Sequence, residues 1–143
     1  MGFARLVEKD WCAFGHMFAL RSKPGSSEYS PVFLQWLDAV FQTQRQYPSK
    51  FEWDDNYLPA VVDVFLGGWS NTFVGNCERE RNDNRVGGLS LFHVIDTEQC
   101  TNQSFTAPTA KVDLLRPNWS LQSIPVWSLY LRQNDLATTT NGE

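Results

Sequence analysis

Thiol chemistry is the first possibility this sequence raises, because cysteines stand at positions 12, 77 and 100. A nucleophilic thiolate needs an electropositive setting, such as a helix N-terminus, a histidine or an arginine. Cys77 follows Asn76 near an expected helix start, where a thiolate is favoured, but the sequence places no histidine or arginine beside it. Cys12 sits within an apolar helical pattern and reads as a core or part-buried thiol, and Cys100 falls in a loop pattern. An odd number of cysteines at wide spacing suits reduced thiols better than a disulfide framework. The two histidines, His16 and His93, are far apart and have no ligand-spaced partner. A zinc site needs three or four convergent ligands, so neither a metal nor a cofactor is expected. Asp54, Asp55 and Asp63 could pair in space, although helix capping explains the first two more simply. Neither a G-x-x-x-x-G-K-[ST] phosphate loop nor a G-x-S-x-G nucleophile elbow occurs.

The elements that would position these groups follow from the hydrophobic pattern. Leu6 to Arg21 reads as one amphipathic helix. Phe3, Val7, Trp11, Phe14 and Phe18 recur at spacings of three and four and share one side of it. Gly15 would cost about 1 kcal/mol in its interior, which suggests close approach of another backbone there. A turn-rich loop, Lys23 to Ser27, ends this helix. Ser30 is placed to cap a second, with Pro31 at its first position. That second helix buries Val32, Phe33, Trp36, Leu37, Val40 and Phe41, runs out in a polar tail of Gln42, Gln44, Arg45 and Gln46, and stops at Pro48.

Phe51-Glu52-Trp53 reads as extended, and Asp54 or Asp55 caps a third helix from Asn56 to Leu66 that Gly67-Gly68 closes. Pro59 is unusual there because it removes a backbone bond. Asn76 to Arg85 reads as a solvated charged run, and Ser90 to Ile95 as a short helix with Leu91, Phe92 and Ile95 inward. The stretch from Asp96 to Lys111 reads as an extended surface loop. A last apolar pattern comprises Ile124, Trp127, Leu129, Tyr130 and Leu131.

The chain has 143 residues, enough for one domain with one core. Six Trp and ten Phe make aromatic burial the main source of that core. A net charge of −4 gives no footing for nucleic acid. No apolar run approaches the length of a membrane span, and Arg5, Glu8, Lys9 and Asp10 interrupt any signal-peptide core. Two glycosylation sequons, Asn102-Gln103-Ser104 and Asn118-Trp119-Ser120, are treated as chance matches on that account.

Four blocks carry a family resemblance: GF-x-x-LVEKDW-x-x-FGH-x-F (Gly2 to Phe18), SPVFLQWLDAV (Ser30 to Val40), RQYPSKFEWDDNYL (Arg45 to Leu58) and NTFVGNCERER (Asn71 to Arg81). In this order they resemble the segment that follows the active-site helix in myotubularin-family phosphoinositide 3-phosphatases, weakening after about Arg85. The resemblance implies a mainly α chain, the helical C-terminal portion of an α/β cysteine-phosphatase fold of protein-tyrosine-phosphatase type. Residues 1–135 would form that part of the domain, and 136–143 a disordered tail.

The family's reaction needs a Cys-x5-Arg loop. Six positions after the three cysteines stand Phe18, Asp83 and Thr106, so the loop is absent and is expected just upstream of Met1. No catalytic residue is assigned, and the chain alone is expected to be inactive. The resemblance implies a 3-phosphorylated phosphoinositide lipid as the family's substrate, a cytoplasmic location with at most peripheral attachment to endosomal membranes, and leaves room for a homo- or hetero-oligomer with another myotubularin-like protein. The rival reading is part of a catalytically dead scaffold that binds an active partner.

Relatives that accept a bisphosphorylated inositol carry a basic pair in G-H-[K/R]-F-x-x-R. Here the pair is Met17 and Arg21, so only Arg21 matches, and it is the one substrate-binding candidate. The alternative makes Arg21 a charge that compensates a helix C-terminus.

Overall fold

In the computed structural model the described residues are 2–83, 89–108 and 114–127. They form α1 (Gly2–Val7), a π-helical turn (Glu8–Cys12), α2 (Phe18–Ser22), α3 (Val32–Gln46), a 3-10 turn (Pro48–Lys50), α4 (Tyr57–Gly67), α5 (Glu78–Asp83) and α6 (Leu91–Val94). Among the described residues, extended pairing is limited to a single antiparallel bridge between Trp53 and Thr101.

The first helix is not continuous. After α1 the backbone winds into the π-turn, and the chain leaves helical geometry at Gly15, whose φ is +83°. A left-handed residue cannot continue a right-handed helix, and glycine adopts it without a Cβ penalty. The reason for Gly15 is therefore its backbone angle and not close approach, since a Cβ there would meet nothing within 4 Å. The break changes the face that follows it: Phe14, expected on the apolar stripe, is 83% exposed. Phe3, Val7 and Phe18 are buried as the spacing requires, and Trp11 is partly buried against the core.

The core is an aromatic cluster between α1, α2, α3 and α4. Phe18 is fully buried at its centre, with ring centroids 5.0 Å from Phe33, 5.0 Å from Phe73 and 5.9 Å from Phe65. Phe3 stacks on Trp36 at 5.2 Å and meets Trp53 and Tyr57 edge-on. Offset stacks and edge-to-face pairs are the arrangements that the ring quadrupole favours.

Helix α3 starts one residue later than Ser30 and Pro31 imply. Pro31 is its N-cap, its carbonyl accepting from the Gln35 N–H at 2.9 Å, and no side chain caps the first turn. Val32 is exposed, while Phe33, Leu37 and Phe41 are buried. The polar tail is only partly a solvated one: Gln42 and Gln44 are 2% and 3% exposed. Each turns its amide to the chain that covers it. Gln42 Nε2 donates to the Pro125 carbonyl at 2.8 Å, and Gln44 Nε2 donates to Asp55 Oδ1 at 3.3 Å.

In α4, Pro59 is the third helical residue and causes no loss, because first-turn N–H groups have no intrahelical acceptor. Asp54 accepts from the Asn56 N–H at 2.9 Å just ahead of the helix, and Gly68 closes it with φ +62°. The charged run contains α5, and Leu91 and Ile95 of the Ser90–Ile95 stretch are buried. The cap of α6 comes from afar: the Leu91 N–H donates to Thr72 Oγ1 at 3.1 Å. Residues 96–108 lie on the surface but are tied down, with Cys100 buried and its carbonyl accepting from the Asp54 N–H at 2.9 Å. Trp127 is buried and stacks on Phe41 at 4.9 Å, whereas Leu129, Tyr130, Leu131 and the 136–143 tail lie outside the described residues.

Candidate functional site

Arg21 reaches its position through the break at Gly15. The His16 N–H returns to the Trp11 carbonyl at 3.0 Å, the Phe18 N–H to the His16 carbonyl at 3.0 Å, and the Arg21 N–H to the Met17 carbonyl at 3.0 Å. Met17 is the N-cap of α2 and is not itself helical. It stays one turn below Arg21, so the four-residue relation survives although the long helix does not. The thioether supplies no second charge.

Arg21 borders a cavity of about 310 Å³ together with Asp10, Trp11, Phe14, Gly15 and His16. Its other side closes a narrow crevice against Ser22, Tyr29, Ser30, Pro31 and Leu66. The side chain is partly buried, and among the described residues no hydrogen bond or ion pair engages its guanidinium. Asp10 puts a carboxylate on the same cavity and lies 3.9 Å from Lys9, which draws part of its field toward solvent.

His16 sits between Trp11 and Phe18, with ring centroids 4.8 and 4.6 Å away, and is packed against both rings. Burial lowers its pKa from the ordinary value, and the positive charge of Arg21 lowers it further. The imidazole is therefore neutral near pH 7. Arg21 is the cation of the cavity, and the arrangement suits an anion small enough to meet one guanidinium.

The cysteines are not arranged for nucleophilic attack. Cys12 is buried, its Sγ donates to the Thr72 carbonyl at 3.5 Å, and burial pushes its thiol pKa up despite Arg81 nearby. Cys100 is also raised, first by burial and then by Asp54 and Asp96. Cys77 is exposed. Asp54 and Asp55 accept hydrogen bonds from Asn56 and Gln44, and Asp63 lies on the exposed side of α4. His93 Nδ1 lies 2.9 Å from Ser90 Oγ, far along the chain from His16. No group of three or more metal-ligating side chains occurs among the described residues. A larger cavity, about 520 Å³, lies between α3 and residues 124–127, but apolar side chains dominate its lining and Asp38 is its one charged residue.

Sequence reasoning missed Arg81. The charged run around it reads as solvated, yet its Nη2 donates to the Cys12 carbonyl at 3.0 Å and its Nη1 is buried. Nothing in the local pattern signals a contact that spans 69 positions.

Comparison with known proteins places this sequence in a family. The model of the myotubularin-like phosphatase domain matches residues 1–82, which include Arg21 and Arg81. Myotubularin of Xenopus tropicalis is 34% identical over 94% of this chain. Phosphatidylinositol-3,5-bisphosphate 3-phosphatase MTMR6 of Caenorhabditis elegans is 33% identical over 94%, and phosphatidylinositol-3,5-bisphosphate 3-phosphatase MTMR2 of Pongo abelii is 34% identical over 93%. The chain spans 24%, 21% and 22% of the length of these three relatives. With the family model covering more than half of its residues, the chain belongs to the myotubularin-like phosphatase domain family.

Proposed function

We propose that this chain supplies the C-terminal, helical part of a phosphoinositide 3-phosphatase domain of α/β, protein-tyrosine-phosphatase type, and that Arg21 holds a phosphate other than the one being cleaved. The observation that carries this reading is a guanidinium bordering a cavity with no acceptor engaged among the described residues. An arginine that only compensated a helix end would need no cavity. The names of two relatives supply the substrate class, a phosphatidylinositol 3,5-bisphosphate. Residues 1–135 act in this reading as one part of the larger domain. The chemistry of bond cleavage lies elsewhere, because the buried thiols are pushed toward their neutral form and no cysteine has an arginine six positions on. In this reading attachment to a membrane is at most peripheral; among the described residues no helix is long and apolar enough to cross one.

A chimera tests this, with the chain joined to the preceding part of the Xenopus tropicalis relative. A charge-assisted arginine–phosphate bond is worth about 1.5–3 kcal/mol. Arg21→Ala should then lower kcat/KM for the 3,5-bisphosphate roughly ten- to a hundredfold, at 1.4 kcal/mol for each tenfold. The 3-monophosphate should change much less. Met17→Arg should shift preference toward the bisphosphate by restoring the basic pair. Equal losses on both lipids after Arg21→Ala would return Arg21 to a helix-end charge. The isolated chain should show no turnover on either lipid.

A further inference from the structure

The break that carries Arg21 is gripped from both sides by one segment. Upstream of it, Arg81 Nη2 donates to the Cys12 carbonyl at 3.0 Å, at the end of the π-turn. Downstream of it, Asn76 Oδ1 accepts the Leu20 N–H at 2.9 Å, inside α2. These two side chains stand at the last turn and the approach of α5, and between their landing points lies the turn with Gly15 and His16.

The gripping segment is itself braced. The Asn76 backbone N–H and side-chain amide both donate to Glu80 Oε2, at 2.8 and 3.1 Å, which fixes the direction of its carbonyl oxygen. Gly75 lets α5 fold back closely, because a Cβ there would lie 2.8 Å from the Arg81 backbone nitrogen. The grip has a cost, since Arg81 Nη1 is buried with no hydrogen-bond partner among the described residues. A solvated arginine on an exposed helix would avoid that cost.

The turn needs outside support. A five-residue helix such as α2 is far below the length that sustains itself in water, and the left-handed glycine before it is conformationally permissive. Left alone, Arg21 would have to be ordered when its anion arrives, and ordering costs affinity. We propose that Arg81 and Asn76 are positioning residues, a two-point clamp that fixes the His16–Arg21 turn and so pre-orients the Arg21 guanidinium. The role rests on the reading of Arg21 as a phosphate contact. Neither clamp residue lines the cavity that Arg21 borders.

His16 reports the state of the turn. Its ring is packed on Trp11 and Phe18, and the ionisable groups around it are Arg21 on α2, Asp10 on the π-turn and Tyr29 on the following loop. The experiment is an NMR titration of the His16 imidazole in the 143-residue chain, with thermal melts alongside. In wild type the pKa should lie below the ordinary value of about 6.5. Arg81→Ala and Asn76→Ala should each raise it toward that value and speed amide exchange from Ala13 to Leu20, in a chain whose helical circular dichroism is retained. Arg81→Lys keeps one donor for the Cys12 carbonyl and should restore most of the depression. A purely structural role predicts lower melting temperatures with an unmoved His16 titration, and that result overturns the clamp. If Arg81→Ala does not fold, Asn76→Ala at its exposed bond gives the same decision.

A second arm adds soluble inositol 1,3,5-trisphosphate. Arg21→Ala and both clamp variants should weaken its binding about tenfold. Unchanged binding in Arg21→Ala, or no binding by wild type, removes the phosphate reading and leaves the clamp to be judged by the His16 titration.

Discussion

Residues 3–73 and the described residues between 96 and 127 are held by different forces. The first region is organised by rings that touch several others at once, and Phe18 alone meets Phe33, Phe65 and Phe73 within 6 Å. Among the described residues, the second contributes one aromatic stack, Trp127 on Phe41, and one buried thiol, Cys100, and is tied to the first by single polar bonds. Asn102 Nδ2 donates to the Pro48 and Phe51 carbonyls at 2.7 and 2.9 Å, and Tyr47 Oη donates to the Arg116 carbonyl at 2.8 Å. Gln46 exchanges two bonds with the Asn118 backbone, at 2.7 and 3.0 Å. Ring packing is shared and cooperative, so one deletion is felt throughout the cluster. Discrete bonds each contribute about 1 kcal/mol and release only what they hold. The difference predicts a core that melts as one unit under a covering that opens piecewise.

The largest effect should come from the centre. Phe18→Ala removes a fully buried ring and should cost about 3–5 kcal/mol, lowering the melting temperature by about 10 °C or more. If it melted only the first region, leaving residues 96–127 protected from proteolysis, the comparison would be broken.

The next lies where the two regions meet. The Tyr57 phenol is raised to about 12, first by burial and then by Cys100 of the second region. Its folded pKa exceeds its unfolded one, so its stabilising contribution is complete below about pH 10 and is lost as pH rises toward 12. Two pK units correspond to about 2–3 kcal/mol, and urea melts between pH 9 and 12 should show Tyr57→Phe losing that much less than wild type. Matching alkaline limbs would mean that the phenol stays hydrated.

Smaller still is Gln42→Leu, which loses the bonds to the Pro125 carbonyl and Asp38 but also removes a buried acceptor that has no donor among the described residues. It should cost about 1 kcal/mol or less. Limited proteolysis near residues 120–127 should rise while the thermal midpoint of the core hardly moves. The smallest effect is expected for Gln46→Ala, about 0.5 kcal/mol at an exposed pair of bonds, read by the same cleavage assay. A large fall in melting temperature from either glutamine variant would show that the covering is part of the cooperative unit.

The same contrast explains what the sequence disclosed. Helices α3 and α4, the Gly68 cap and the inward Leu91 and Ile95 follow from patterns a few residues long. Arg21 was legible as a site only through a family motif, since by itself it is one cation in a charged chain. The break at Gly15 was hidden because apolar spacings of three and four persist across it, and periodicity cannot register a single left-handed residue. Phe14 was misplaced for that reason. The pattern shows Gln42 and Gln44 only as a polar tail and Arg81 only as part of a solvated charged run, because their partners, Pro125, Asp55 and Cys12, lie 83, 11 and 69 positions away. Polar burial is decided by what covers a group, and a local window does not contain the cover.

The aromatic cluster also has an optical consequence. Trp11 and Trp36 lie with ring centroids 5.2 Å apart and planes inclined at 53°, close and tilted enough for their indole transitions to couple as one chiral pair. Trp127 stacks on Phe41, outside that pair. The paired indoles should give a two-signed circular dichroism band that vanishes when the first region unfolds, and Trp127 should contribute an ordinary emission that shifts when the covering lifts. Trp53, Trp69 and Trp119 also absorb and emit, so with these three replaced by Phe the Trp11–Trp36 pair should report on the first region and Trp127 on the covering.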